Sequence, residues 1–146
     1  MAMTPTDDRG DWTVDYEFWA NGISWRVARV TLDERMGAPI IGTLRLVGGV
    51  HDDPSTLLGA ATSLVMRQGD FDRTITGIVT RLEPLGRHSG LPHARIVLES
   101  RIGLARRSRR WRIFQEMTAP SIVNEVLGRL AGVEIESRLT LSLIHI

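Results

Sequence analysis

Five of the seven residues from Arg106 to Arg112 are arginine: Arg106, Arg107, Arg109, Arg110 and Arg112, with Trp111 set between the last two. Guanidiniums at that density can grip a phosphate backbone while an indole stacks on a base. The same run can form a solvated turn or strand edge, where charge discourages edge-to-edge pairing. Net charge favours the second reading. The chain has 18 basic and 17 acidic residues and a net charge of +1, whereas a nucleic-acid-binding domain carries a broad positive excess. No recognised nucleic-acid module surrounds the run, so Arg106, Arg107, Arg109 and Arg110 are candidates for a partner-facing surface instead.

Two loops offer metal-ligand types. His88 and His93 flank Ser-Gly-Leu-Pro, and His51 precedes Asp52 and Asp53. Neither pair has a standard ligand spacing, and both lie in Gly- and Pro-containing loops where histidine is an ordinary surface residue. No metal site is assigned. Catalytic motifs are also missing: there is no Gly-x-Ser-x-Gly, no phosphate-binding glycine loop and no cysteine. Scattered Asp and Glu residues show no pairing that argues for acid–base work. The reading is non-enzymatic, with no cofactor.

The elements that would carry these residues are mostly β. After an acidic opening, residues 1–24, read as an N-terminal extension, short apolar segments follow: WRVARVTL, IIGTLRLV, AATSLVM, RTITGIVTRL and ARIVLES. Gly, Pro and Asp cluster between them, as turns require. Five short strands at fairly even spacing predict a small barrel or sandwich over residues 25–105. Alternation puts Leu44 and Leu46 on one face, and Ile75, Gly77 and Val79 on one face of another strand. In WRVARVTL the apolar set shifts from Trp25 and Val27 to Val30 and Leu32, which predicts a bulge near Ala28 and Arg29. Gly77, in mid-strand, is a second candidate for a bulge or sharp bend.

One amphipathic helix is predicted in the last quarter. Thr118 suits an N-cap and Pro120 the first turn, while Ile122, Val123, Val126, Leu127 and Leu130 recur on one face. Gly132 stands where a C-terminal cap is expected. That face is read as core. The fold class is therefore mainly β (α+β): a small bulged β-barrel of antiparallel strands followed by one amphipathic α-helix. With 42% hydrophobic residues in 146, the chain is long enough for one real core. No stretch approaches the ~20 apolar residues of a membrane span, and the opening residues lack the apolar stretch of a secretory signal.

The order of several strings is more specific than any one of them. Leu57-Leu58-Gly59 precedes an apolar strand, Gly77-Ile78-Val79 lies within the next, and Arg112-Ile113-Phe114-Gln115 leads into Thr118, Pro120, Ile122, Val123, Val126 and Leu127. This order, over about Trp25 to Leu130, resembles the N-terminal region of the VgrG family, the spike-tip proteins of the bacterial type VI secretion system, and the related tail-hub proteins of contractile phages. The segment before Arg112 departs from the family pattern, carrying arginines where Pro and bulky aromatics are usual.

The resemblance implies a structural, non-catalytic role in capping the tube and carrying the needle. It also implies a homotrimer that meets a hexameric tube-ring protein. Each chain of such a hub gives two barrels, so residues 106–146 would be a connection, the helix and the truncated start of a following domain. The protein would be a fragment, assembled in the bacterial cytoplasm and exported by the machine's own thrust. Alternatives are a phage tail hub or late-control protein, or a small nucleic-acid-binding module using Arg106 to Arg112.

Overall fold

The computed structural model describes residues 13–107 and 111–128. The chain divides into two compact units, Met1–Ser100 and Arg101–Ile146.

In the first unit, six antiparallel strands close a barrel: β1 (Asp15–Ala20), β2 (Ile23–Asp33), β3 (Ile41–Val47), β4 (Ala61–Gln68), β5 (Phe71–His88) and β6 (Leu91–Glu99). Their order around the barrel is β1-β2-β3-β6-β5-β4, with β4 paired back to β1. Every strand sends alternate side chains inward, as a pleated strand must. Phe18, Trp25, Leu44, Leu46, Leu64, Ile75, Val79, Ile96 and Leu98 fill the interior together with small Ala20 and Ala94. A six-stranded barrel is narrow enough for side chains alone to fill it.

Residues 15–24 correct the sequence reading. Instead of belonging to an extension, they supply β1 and the first two residues of β2, so the barrel has six strands and begins ten residues earlier than expected. Asn21 (φ 50°) and Gly22 (φ 78°) form the two-residue link between β1 and β2. Both central residues of a type I′ hairpin turn need positive φ, which Asn tolerates and Gly adopts freely. The segment EPLGRHSGLP, read as a separator, is also mostly strand, since β5 runs to His88 and only Ser89 and Gly90 make the turn.

Three bulges curve the sheet. One lies between Val27 and Arg29 in β2, where the phase change placed it. The other two are in β5, between Val79 and Arg81 and between Pro84 and Arg87. Pro84 has no amide proton to give a ladder, and a bulge accommodates that. Gly77 itself is not bulged: it pairs regularly with Thr62. One residue later Ile78 pairs with both Ala61 of β4 and Glu99 of β6, so β5 exchanges one partner for the other immediately after this glycine.

In the second unit, α1 (Arg101–Ala105) is a short helix that periodicity did not reveal, and α2 (Ala119–Gly128) is the expected one. Thr118 precedes α2, where its hydroxyl accepts from the Ser121 amide at 3.4 Å and its carbonyl accepts from the Ile122 amide at 3.0 Å. Leu130 and Gly132 lie outside the described residues. No residue of α2 is buried. The expectation that its apolar face is core is therefore corrected: Val123 and Val126 are 45% and 41% exposed. Among the described residues, no helix is long and apolar enough to cross a membrane.

Candidate assembly surfaces

The strings that stood apart in the sequence meet in the barrel. Asp53 accepts from the Ser55 amide at 2.9 Å and from its hydroxyl at 2.7 Å, starting a 3₁₀ turn over Pro54–Leu57. That turn drives Leu57 into the core at 1% exposure and leaves Leu58 exposed. The chain then reverses at Gly59 (φ 77°), whose amide donates to the Val79 carbonyl at 2.9 Å, while the Val79 amide donates to Ala60 at 3.1 Å. Leu57-Leu58-Gly59 and Gly77-Ile78-Val79 are thus two halves of one contact, which locks the loop ahead of β4 onto the bend of β5. Ile78 is half-buried on the outer face and Val79 is fully buried inside.

The third string lies in the second unit. Arg112 forms an ion pair with Glu125 of α2 at 3.6 Å, tying the extended segment to the helix. Trp111 and Ile113 are 103% and 88% exposed, while Phe114 is half-buried. Alternating direction along an extended segment explains why Arg112 and Phe114 are more covered than Trp111 and Ile113. Pro120, Ile122 and Leu127 are half-buried; Gln115 and Thr118 are exposed. Arg106 and Arg107 are exposed at the end of α1, and Arg109 and Arg110 lie outside the described residues. Among the described arginines of the run, Arg112 is engaged with a carboxylate.

Sequence reasoning missed a more organised basic surface. On the outside of the barrel Arg29, Arg45 and Arg95 stand in register on three neighbouring strands, β2, β3 and β6. Glu83 of β5 ends the row, holding Arg95 at 2.7 Å. The bulges create this arrangement. In a regular β2 with Trp25 inside, Arg29 would point inward; one extra residue at Ala28 turns it outward, and the extra residue at Thr80 does the same for Arg81. Across the barrel, on β1, β4 and β5, Arg67 stands opposite Asp15 and Asp72 and pairs with Glu17 at 2.6 Å and Asp72 at 3.4 Å. Periodicity marks which residues face out, but the bulge positions decide which charges align.

The model of the phage tail baseplate hub family (GPD) matches residues 33–145 of the chain. The chain belongs to that family. Among solved structures, the hub barrel is similar to the E. coli c3393 protein, described as a component of the type VI secretion system with structural similarity to the T4 bacteriophage tail proteins gp27 and gp5. The two share 21% identity at a TM-score of 0.60, over 80% of this chain and 33% of that one. The chain thus spans about a third of the length of that relative. No curated protein sequence matches it. Family membership makes the chain part of a structural tail-type hub, and the solved structure bears out the fold.

The loops considered for metal binding come together at one cleft of the hub barrel, of about 320 Å³, lined in part by His51, Asp52, Asp53, Arg87 and His93. Asp52, Asp53 and Arg87 are already committed to bonds within the loops. Asp52 accepts from the Gly49 amide at 2.6 Å, and Arg87 donates to the carbonyls of Val50 (3.0 Å) and Gly90 (2.7 Å). His88 and His93 meet edge to face, with ring centroids 4.9 Å apart. Desolvation first, then the positive neighbours His88, Arg45 and Arg26, pushes the His93 pKa down. Among the described residues no three His, Asp or Glu side chains converge as metal ligands.

Two carboxylates contribute to the acid sensitivity expected of the hub barrel. Hydrogen bonds from Ser55 lower the Asp53 pKa below its ordinary 3.8, and Arg67 lowers that of Glu17 below 4.5. A depressed folded pKa gives stability that is full above the unfolded value and is lost as the pH falls through the folded one. The melting temperature is expected to drop as the pH goes below about 4. In Glu17→Gln with Asp53→Asn that drop should be shallower; equal slopes for parent and variant by circular dichroism would contradict the assignment.

Proposed function

We propose that the chain is the leading barrel of a secretion-spike hub, a non-catalytic part that caps the tube, carries the needle and assembles as a homotrimer on a hexameric tube-ring protein. The observation that carries this reading is the family match across residues 33–145, together with the bonding of the Leu57-Leu58-Gly59 and Gly77-Ile78-Val79 strings into one barrel element. The role is mechanical, assembled in the bacterial cytoplasm and leaving with the needle. Nothing in it requires a cofactor or a bound metal.

The test is to express the gene product continued beyond Ile146 together with the tube-ring protein. A trimer that co-purifies with the ring is expected; a monomer that ignores it would count against the proposal. A phage tail hub is the second reading, favoured by the family's own description, and co-purification with a phage tail-tube protein instead would select it. Nucleic-acid binding through the arginine run makes a different demand. Arg106→Gln with Arg107→Gln should leave both the melting temperature and any retention on single-stranded DNA unchanged. A steep, salt-sensitive affinity abolished by these changes would reinstate that role.

A further inference from the structure

The arginines of the barrel differ in whether they are occupied. Arg35 pairs with Asp33, Arg67 with Glu17, Arg73 with Glu34 and Arg95 with Glu83, while Arg87 donates to the carbonyls of Val50 and Gly90. Arg26, Arg29, Arg45 and Arg81 form no ion pair or hydrogen bond among the described residues. Arg81, opposite Val97, is separated from Arg45 by β6. The other three are exposed neighbours: Arg29 stands opposite Arg45, and Arg26 stands opposite Val47, two residues farther along β3. From β6, Arg95 faces Arg45 on its other side and His93 faces Val47. Like charges directly opposite one another destabilise a sheet. Free guanidiniums held in that way attract an anion from outside.

Carboxylates bound this cluster in all four directions. Glu17 of β1 stands opposite Arg26 and is held by Arg67, while Glu83 of β5 ends the arginine row. Farther along β2 and β6, Asp33 and Glu99 flank Ile41. At the other end of those strands Asp52 and Asp53 share the cleft with His93. A long polyanion leaving the cluster meets one of these carboxylates; a short one does not. The acids of this chain's own barrel are a poor match, because Arg67 already holds Glu17 and Asp72, and Ser55 holds Asp53.

We propose that Arg26, Arg29 and Arg45 form a docking surface for a short, densely acidic segment of another protein. From β2 across β3 to β6 is two strand spacings, about 10 Å, which an extended segment covers in about three residues. Charge complementarity over that width favours clustered carboxylates, and the rim repels the further phosphates that a nucleic-acid strand would bring on either side. This surface is independent of the trimer and of the contact with a tube ring.

Fluorescence anisotropy of a labelled hexaglutamate peptide, titrated with the chain at ~0.01 M and ~1 M salt, tests this. Binding is expected at low salt and its loss at high salt, as the screening length falls from about 30 Å to about 3 Å. Arg29→Gln with Arg45→Gln should weaken it about tenfold, within what two surface ion pairs contribute. Arg106→Gln with Arg107→Gln, the same loss of charge elsewhere, should leave it unchanged. Glu83→Gln, which frees Arg95, should tighten it, and doubling the length of the peptide should gain little because the added carboxylates meet the rim. The Arg29→Gln, Arg45→Gln variant should melt no lower than the parent, since repulsion is relieved; a lower melting temperature would make these arginines structural and overturn the proposal. So would an absence of hexaglutamate binding at low salt, or binding that survives the loss of Arg29 and Arg45. Tighter binding of a single-stranded DNA oligonucleotide through the same arginines would overturn it in favour of nucleic acid, and low-salt self-association abolished in the variant would do so in favour of a second copy.

Discussion

Phe18→Ala is expected to cost the barrel about 3–5 kcal/mol, as large-to-small changes at fully buried aromatic positions do. Phe18 is 0% exposed and stands opposite Trp25 on β2 and Leu64 on β4, both also buried. It therefore packs where β1 closes the sheet between its two neighbours. For a domain of this size that loss corresponds to a fall in melting temperature of roughly 15 °C or more. Removing residues 1–22 is the stronger form of the same test. It strips β1 from both β2 and β4, leaving two unpaired edges and an opened core, and such edges invite pairing between chains. The expected product has no cooperative melting transition and forms aggregates. If a chain beginning at Ile23 melted like the parent, the barrel would not depend on β1, and a start at Trp25 would be right after all.

The sequence conceals β1 for a specific reason. Asp15, Glu17 and the acids before them make residues 1–24 read as solvated chain, and composition hid the alternation of Phe18 and Ala20 against Glu17 and Trp19. The signal was nonetheless present: Asn21-Gly22 between two apolar runs is the strongest short-range mark of a hairpin. The rest of the barrel was legible because its strands alternate cleanly, and the β2 bulge was legible because Val27 and Val30 break that alternation. The bulge after Val79 was not, because both faces are partly covered around Ile78, and a strand covered on both sides gives no phase to follow.

The candidate surfaces were legible only in part. The family strings pointed to Leu57, Gly59, Gly77 and Val79, and the fold joins them through two backbone hydrogen bonds that no spacing rule could reveal. The arginine run drew attention by its density, yet Arg112 is occupied with Glu125. The aligned arginines are scattered in sequence at positions 29, 45 and 95, and only strand register brings them side by side. Charge density along a chain and charge density on a surface are separate properties.

Gly77→Ala should be nearly as damaging as loss of a core aromatic, although it adds one methyl group. A Cβ at this position would lie 2.4 Å from the Glu99 carbonyl oxygen and 2.6 Å from Leu98 Cδ1. Contacts that short must open. Inserting a methylene into a packed core costs about 1–3 kcal/mol, occasionally more, and the upper end is expected where a backbone atom is the obstacle. The two obstacles can be told apart, since Leu98 can be shortened and a carbonyl cannot. If the Glu99 carbonyl governs, Leu98→Ala will not rescue Gly77→Ala, and the double variant will melt below either single one. If the Leu98 methyl governs, the double variant will melt above Gly77→Ala alone. The first result is expected, because Gly77 lies one residue before β5 passes from β4 to β6, and at that crossing Ile78 already pairs with Glu99. A Gly77→Ala variant that melts like the parent would mean that β5 and β6 have room to separate there, and that the glycine is not what allows the barrel to close.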